Sequence, residues 1–261
     1  MVGTGNDFIV IDNRTGAIGK DPASSAKRLC DRKLGIGADG LLLLEKSTKA
    51  EIRMRIFNPD GSEAAMCGNG IRCIARFSAD NNITGPQFQI ETLAGLIGAE
   101  VLGDIVKAKM IDPKDLKLRF EIALGKLSQE IHFVDTGVPH TVVIIDSLKD
   151  CNVKDIGRQI RNHKLFSPKG TNVNFISYKS GNAIEVRTYE RGVEDETLSC
   201  GTGSTASALV AASLKNLKSP VQVHTQSGES LKVYFFKQNG SFQEVYLEGP
   251  VKTIFEGRVH L

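Results

Sequence analysis

At 261 residues the chain is long enough for one large domain or two ordinary ones, and 41% hydrophobic with 24% charged residues is the composition of a globular protein. A net charge of +3 on scattered lysines and arginines, with no dense basic stripe interleaved with aromatics, argues against a nucleic-acid partner. The longest apolar runs, such as Leu41 to Leu44 and Val142 to Ile145, are far too short to span a bilayer, Met1 to Asp7 lacks the charged lead and apolar core of a signal peptide, and five cysteines without framework spacing fit a reducing compartment.

In chain order, Phe8 to Ile11 is an apolar strand ended by the turn-formers Asp12 and Asn13. Pro22 to Leu34 reads as a helix, with Asp21 as its N-cap and Gly35 as its stop. Gly37 to Gly40 is a turn, Leu41 to Glu45 a buried strand and Arg53 to Phe57 an alternating one. Asn58-Pro59-Asp60-Gly61 is a strong turn signal. Met66-Cys67-Gly68-Asn69-Gly70 follows and opens a helical run through Phe77. Gln87 to Leu93 and Leu96 to Val101 are strands around Gly95, and Ile111 to Leu118 reads as the connection to a second half.

The second half replays the first. Pro139-His140 precedes a strand from Thr141 to Ile145, Cys151 to Asn162 is helical, and Gly170 to Asn174 is a turn before Phe175-Ile176. Arg187-Thr188-Tyr189 repeats Arg55-Ile56-Phe57 at an offset of 132, and Ser199-Cys200-Gly201-Thr202-Gly203 repeats the first cysteine turn at an offset of 133. A steady offset over several motifs argues for internal duplication. The run Ala206 to Ala212 is small and apolar nearly all round, so its helix is buried on every side. A buried helix in a strand-rich half implies a sheet curled around a central helix, with two such units and a cleft between them. Val251 to Leu261 reads as a last strand returning to the first half.

A helix N-terminus offers unpaired N–H groups and partial positive charge, which bind carboxylate or phosphate. Glycine after the cysteine lets a ligand approach the backbone, and the same field favours thiolate over thiol. Two such turns predict one carboxylate gripped by two helix ends, with Cys67 and Cys200 on opposite faces of its α-carbon as acid and base. Cys30, Cys73 and Cys151 are assigned structural roles. A metal site on Cys67 and Cys73 lacks supporting ligands, so no metal is expected. A hydrolase pairing His140 with either turn cysteine leaves the duplication of the turn unexplained.

The chain resembles the diaminopimelate epimerase family over nearly its whole length. The resemblance rests on Gly5-Asn6-Asp7-Phe8, Gly35 to Gly40, Phe57 to Ser62, both cysteine turns, Pro139-His140, Asn172 to Phe175 and Tyr189-Glu190-Arg191-Gly192. It implies an α+β fold of two pseudo-symmetric domains, each a β-barrel-like sheet wrapped around a central helix, with the active site in the cleft between them. The expected domains are 1–113 plus 250–261, and 114–249. The implied enzyme is a cytoplasmic isomerase of lysine and peptidoglycan biosynthesis that uses no cofactor, acts on a small molecule and assembles as a homodimer, without a membrane or nucleic-acid partner. It assigns Cys67 and Cys200 as the acid/base pair, the N–H groups of Gly68, Asn69, Gly201 and Thr202 to the reacting carboxylate, and Asn6, Asn58, Asn172, Glu190 and Arg191 to the remaining substrate contacts. His140 and Glu190 take the positions of residues that tune the thiols.

Three positions depart from the family pattern: Val138 replaces the usual Asn, Gly40 replaces a Gln of some members, and the run from Gly192 to Thr197 is one residue longer. The family's leading strand is also expected to be truncated here. Two alternatives remain at this level: a sister racemase of proline type, which usually carries His where Asn69 stands, and a non-catalytic binding module, which needs neither thiol. A phenazine-type isomerase lacks the cysteine pair.

Overall fold

The computed structural model describes residues 1–125 and 127–259. It is an α+β structure that divides into two compact units, Met1–Lys109 with the segment from Gly249 onward, and Met110–Glu248.

The first unit runs β1 (Val2–Gly3), β2 (Asn6–Asp12), α1 (Pro22–Cys30), β3 (Gly40–Glu45), β4 (Ile52–Phe57), β5 (Glu63–Ala64), α2 (Gly68–Asp80), β6 (Gln87–Thr92), β7 (Gly95–Leu102) and β8 (Ile105–Lys109). Its sheet has the order β1-β2-β3-β4-β6-β7-β8, with β5 on β4. The pairs β2–β3 and β4–β6 are parallel, and they are bridged by α1 and α2. The unbroken apolar run of β3 follows from burial on both faces: Leu42 and Leu44 pack with Ile71 and Ile74 of α2, Leu41 and Leu43 with Ala26 and Leu29 of α1. Strands β1 to β4, β7 and β8 all contact α2, so the sheet curls around it.

Asp21 caps α1 as expected, accepting the N–H of Ser24 at 3.0 Å. The helix stops at Cys30 rather than at Leu34. The Asp31 carboxylate accepts the N–H groups of Lys33 and Leu34 at 2.7 and 2.8 Å, and so supplies the backbone with a turn in place of another helical step. Residues 251–259 do not form a strand. Lys252 makes a single bridge to Val2, and 253–259 has no regular structure; His260 and Leu261, which complete the expected strand, lie outside the described residues. Val2–Gly3 pairs with Asn6–Asp7 at the other side of this bridge.

The second unit runs β9 (Lys114–Leu124), β10 (Leu127–Asp135), β11 (Pro139–Ile144), α3 (Val153–Arg161), a 3-10 turn (Lys164–Phe166), β12 (Asn172–Lys179), β13 (Ala183–Glu190), β14 (Asp195–Thr197), α4 (Gly201–Lys215), β15 (Val221–His224), β16 (Ser230–Gln238) and β17 (Ser241–Pro250). Its order β10-β11-β12-β13-β15-β16-β17, with β14 on β13 and parallel pairs β11–β12 and β13–β15, repeats the first unit strand for strand. Strand β9 is an addition on β10. Helix α4 is buried from Ser204 to Ala212 and touches β10 to β13, β15 and β16.

Three expectations need correction here. The connection between halves is shorter than Ile111 to Leu118, because Lys114 already pairs with Asp135 in a long hairpin. Gly170 to Asn174 is not a turn throughout: Asn172, Val173 and Asn174 belong to β12, where cross-strand partners satisfy amides that in isolation favour turns. Helix α3 begins at Val153, with the Asn152 side chain accepting from the N–H of Asp155.

Candidate active site

Cys67 is the N-cap of α2 and Cys200 the N-cap of α4, both in extended backbone conformation. The first helical hydrogen bonds are Ile71 N–H to Cys67 O and Ser204 N–H to Cys200 O, each 2.8 Å. Helix geometry therefore leaves the N–H groups of Gly68, Asn69 and Gly70, and of Gly201, Thr202 and Gly203, without intrahelical acceptors. Gly68, Asn69 and Gly201 are buried, Thr202 half-buried. Each glycine two residues further on is enforced by packing. A Cβ on Gly70 would lie 3.1 Å from Leu42 Cδ2, and one on Gly203 would collide with Asn174 Oδ1 and sit 3.3 Å from Cys200 Sγ.

Around Cys67 the first unit gathers Asn6 and Asn69. Asn69 Nδ2 donates to Asn6 Oδ1 at 2.6 Å, and Asn6 Nδ2 donates to Asp39 Oδ2 at 3.0 Å. Asn69 Oδ1 accepts from Arg72 Nη2 at 2.8 Å, and the same guanidinium donates to Thr4 Oγ1 at 2.8 Å and Gly68 O at 3.3 Å. Asp39 and Asp7 are both held by Arg32, and these bonds keep the Asp7 carboxyl below the usual range against the effect of its burial. Asn58 is exposed and belongs to its turn, donating from Nδ2 to Ser62 Oγ at 2.9 Å. Gly40 is buried in β3, where a Cβ would press on Phe57 O and the Phe8 ring.

In the second unit Thr202 stands against Cys200, and Asn172, His140 and Arg191 are linked to one another. Cys200 Sγ is 3.5 Å from Thr202 Oγ1, and Thr136 Oγ1 donates to Thr202 O at 3.2 Å. Asn172 Nδ2 donates to Pro139 O at 3.1 Å, while its Oδ1 accepts the Arg191 N–H at 2.9 Å. Thr197 Oγ1 donates to Glu190 Oε2 at 2.9 Å. His140 is wholly buried, and burial, reinforced by the Arg191 charge, pushes its pKa down to about 3, so the ring is neutral. Val138 is half-buried and its carbonyl accepts the N–H of Thr136 at 3.1 Å. In the longer run after Arg191, Glu194 takes a positive φ of 60° and pairs with Arg161 at 2.9 Å.

The other cysteines have a different setting. Burial raises Cys30 to about 11 and Cys73 to about 12, and raises Cys151 as well, which suppresses thiolate at all three. Among the described residues no three His, Cys, Asp or Glu side chains converge as metal ligands would, and no helix is long and apolar enough to cross a membrane.

Sequence reasoning missed Arg72, Asn174 and Thr188. The signal for the last two was present in the duplication. Moving 132 positions from Leu42 and Ile56 gives Asn174 and Thr188, and from Phe8 gives His140, so three core positions of one half turn polar in the other.

A sequence model described as diaminopimelate epimerase matches residues 1–114 and 132–254. The diaminopimelate epimerase of Aquifex aeolicus is 44% identical, covering 99% of this chain and 96% of that protein. That of Chlorobaculum tepidum is 43% identical, with both chains covered completely. Among solved structures, a phenazine biosynthesis protein of the PhzF family from Bacillus anthracis superposes with a TM-score of 0.71 at 18% identity, covering 96% of this chain and 92% of that one. A hydroxyproline epimerase from Agrobacterium vitis gives 0.66 at 18%, covering 95% and 89%. At that identity the two structures speak for the fold alone.

Proposed function

The chain belongs to the diaminopimelate epimerase family, and we propose that it interconverts LL- and meso-diaminopimelate by a two-base reaction with Cys67 and Cys200 as the acid/base pair. The observation that carries this reading is the repeated cysteine N-cap, one at the head of each central helix, in a chain matched over its full length by relatives of that name.

The chemistry follows from the caps. One cysteine, as thiolate, takes the α-proton from one face of the carbon. The electron pair moves toward the carboxylate, whose oxygens accept the N–H groups of Gly68, Asn69, Gly201 and Thr202. The other cysteine, as thiol, returns a proton to the opposite face. The product is the inverted centre, and the two sulfurs have exchanged protonation states. The carbanion needs no external electron sink in this scheme, because the helix ends and their N–H groups stabilise its charge. Asn6, Asn58, Asn172, Glu190 and Arg191 make the remaining substrate contacts, with the Arg191 guanidinium, a fork donor, suited to the distal carboxylate. Cytoplasmic residence and a homodimer belong to the same reading, since thiol chemistry needs a reducing compartment.

The test is incubation with each diaminopimelate isomer in deuterated water, following the α-proton by NMR. Interconversion with loss of the α-proton signal is expected. Exchange without inversion, or no turnover of either isomer, overturns the reading.

A further inference from the structure

At three positions the two units carry opposite chemistry in the same place. Phe8 on β2, Leu42 on β3 and Ile56 on β4 are buried hydrocarbon. Their counterparts 132 residues on, His140 on β11, Asn174 on β12 and Thr188 on β13, are buried and polar. The register is the same in both sheets: Leu42 pairs with Val10 and Ile56, Asn174 with Val142 and Thr188. The packing neighbour is also the same, since Gly70 meets Leu42 as Gly203 meets Asn174. This fold therefore accepts an apolar triplet at these positions, and the polar triplet beside Cys200 has a cause other than architecture.

The polar triplet leaves little freedom. Asn174 Nδ2 lies 3.1 Å from Thr141 O and 3.1 Å from His140 Nδ1, and Asn174 Oδ1 accepts from Thr188 Oγ1 at 2.9 Å. A backbone carbonyl only accepts, so Thr141 O fixes which end of the amide is nitrogen. Both N–H groups of that nitrogen are then spent, one on Thr141 and one on His140. The imidazole must receive the second at a bare Nδ1. A neutral ring with a bare Nδ1 carries its proton on Nε2, and that atom is buried with no hydrogen-bond partner among the described residues.

We infer that Asn174 is a positioning residue that locks His140 as the Nε2–H tautomer, so that the ring is a neutral hydrogen-bond donor and not a base. The donor answers the negative charge that arises on the thiolate or the held carboxylate, and a buried N–H without a protein partner is what such an anion would satisfy. The protons of the reaction then stay on sulfur and carbon, with none passing to the imidazole. This catalytic consequence rests on the proposed epimerase reading, whereas the tautomer rests on the amide geometry alone.

Histidine-selective 15N labelling and long-range proton–nitrogen correlation at neutral pH distinguish the three ring states, with His140 assigned by the signal lost in His140→Gln. The expected pattern is protonated Nε2 with bare Nδ1. A protonated Nδ1, alone or together with Nε2, overturns the inference. Asn174→Asp offers only acceptors to the ring and should move a proton onto Nδ1; an unchanged pattern also overturns it. In kinetics, His140→Leu should lower kcat by about 100-fold with little change in KM, as loss of one donor to developing charge does. His140→Gln keeps an N–H but cannot take a proton, and should stay within about 10-fold of wild type. Equal losses in the two variants overturn the donor role. A wild-type protein with the Nε2–H pattern but no epimerase turnover would refute the proposed function and leave the lock standing.

Discussion

Arg72, wholly buried in α2, donates through Nη2 to Asn69 Oδ1 one turn earlier at 2.8 Å, and this bond decides which way the Asn69 amide faces. With its oxygen engaged by the guanidinium, Asn69 can only donate to Asn6, at 2.6 Å. Asn6 in turn has its oxygen engaged and donates to Asp39, at 3.0 Å. Charged groups at both ends, Arg72 and the Arg32-bound Asp39, polarise the relay in one direction. Each amide is left with one N–H to offer, which suits a ligand made of acceptor oxygens. Removing the guanidinium strands Thr4 Oγ1, Asn69 Oδ1 and Gly68 O in a dry site. Arg72→Met should cost about 3 kcal/mol of stability by denaturant unfolding. Arg72→Lys has three donors, but they sit on one nitrogen that cannot stand where both Nη1 and Nη2 do, so it should recover only part of that, with KM for diaminopimelate remaining raised.

The thiols separate cleanly by setting. Cys67→Ala and Cys200→Ala should each lower epimerisation by at least ~100-fold, because each removes one of the two proton carriers. Cys30→Ala, Cys73→Ala and Cys151→Ala should leave turnover near wild type, since burial holds those sulfurs as thiols. Near-normal kcat in Cys200→Ala would end the two-base scheme.

Val138 tests specificity. Its side chain is half-buried and cannot hydrogen-bond a polar group, and its backbone carbonyl is already used by Thr136. Val138→Asn should raise the ratio of kcat/KM for diaminopimelate over that for a shorter amino acid by several-fold, roughly what one added neutral hydrogen bond supplies. An unchanged ratio means that position does not face the distal end of the substrate.

Acid stability should register the duplicated arginine–glutamate pair. Arg55 holds Glu63 with bonds of 2.7 and 2.9 Å, and Arg187 holds Glu196 with two of 2.7 Å. The hydrogen bonds from Arg55, aided by its charge, keep Glu63 below its ordinary value of 4.5 despite partial burial. A depressed folded pKa adds stability above the unfolded value and loses it as pH falls through the folded one. Glu63→Gln should therefore be about 1 kcal/mol less stable than wild type at pH 7, since solvent limits a partly exposed pair, and the gap should close below the usual carboxylate range. A gap that persists at low pH would assign the loss to packing.

The legible part of this protein was local or repeated. The Asp21 cap, the buried run of β3, the all-round apolar α4 and the two cysteine turns are set by residues within one or two turns of chain, where period, capping and turn chemistry act directly. The offset of 132 to 133 carried the rest, because a duplicated fold states its topology twice.

What the sequence left open was decided by partners far along the chain. Asp31 ends α1 early through a side-chain bond that competes with the helix, a balance of a few tenths of a kcal/mol to about 1 that pattern alone does not resolve. Lys114–Leu124 carries charge on most of its exposed face and reads as a connection until β10 supplies its hydrogen bonds. Asn172 and Asn174 look like turn residues until Pro139, Thr141 and His140, more than thirty positions away, satisfy their amides in a strand. Arg72 reads as one more polar residue on a helix. Only the fold places it in the dry interior against Thr4, 68 residues earlier, because a buried charge is tolerable solely where other segments bring it acceptors.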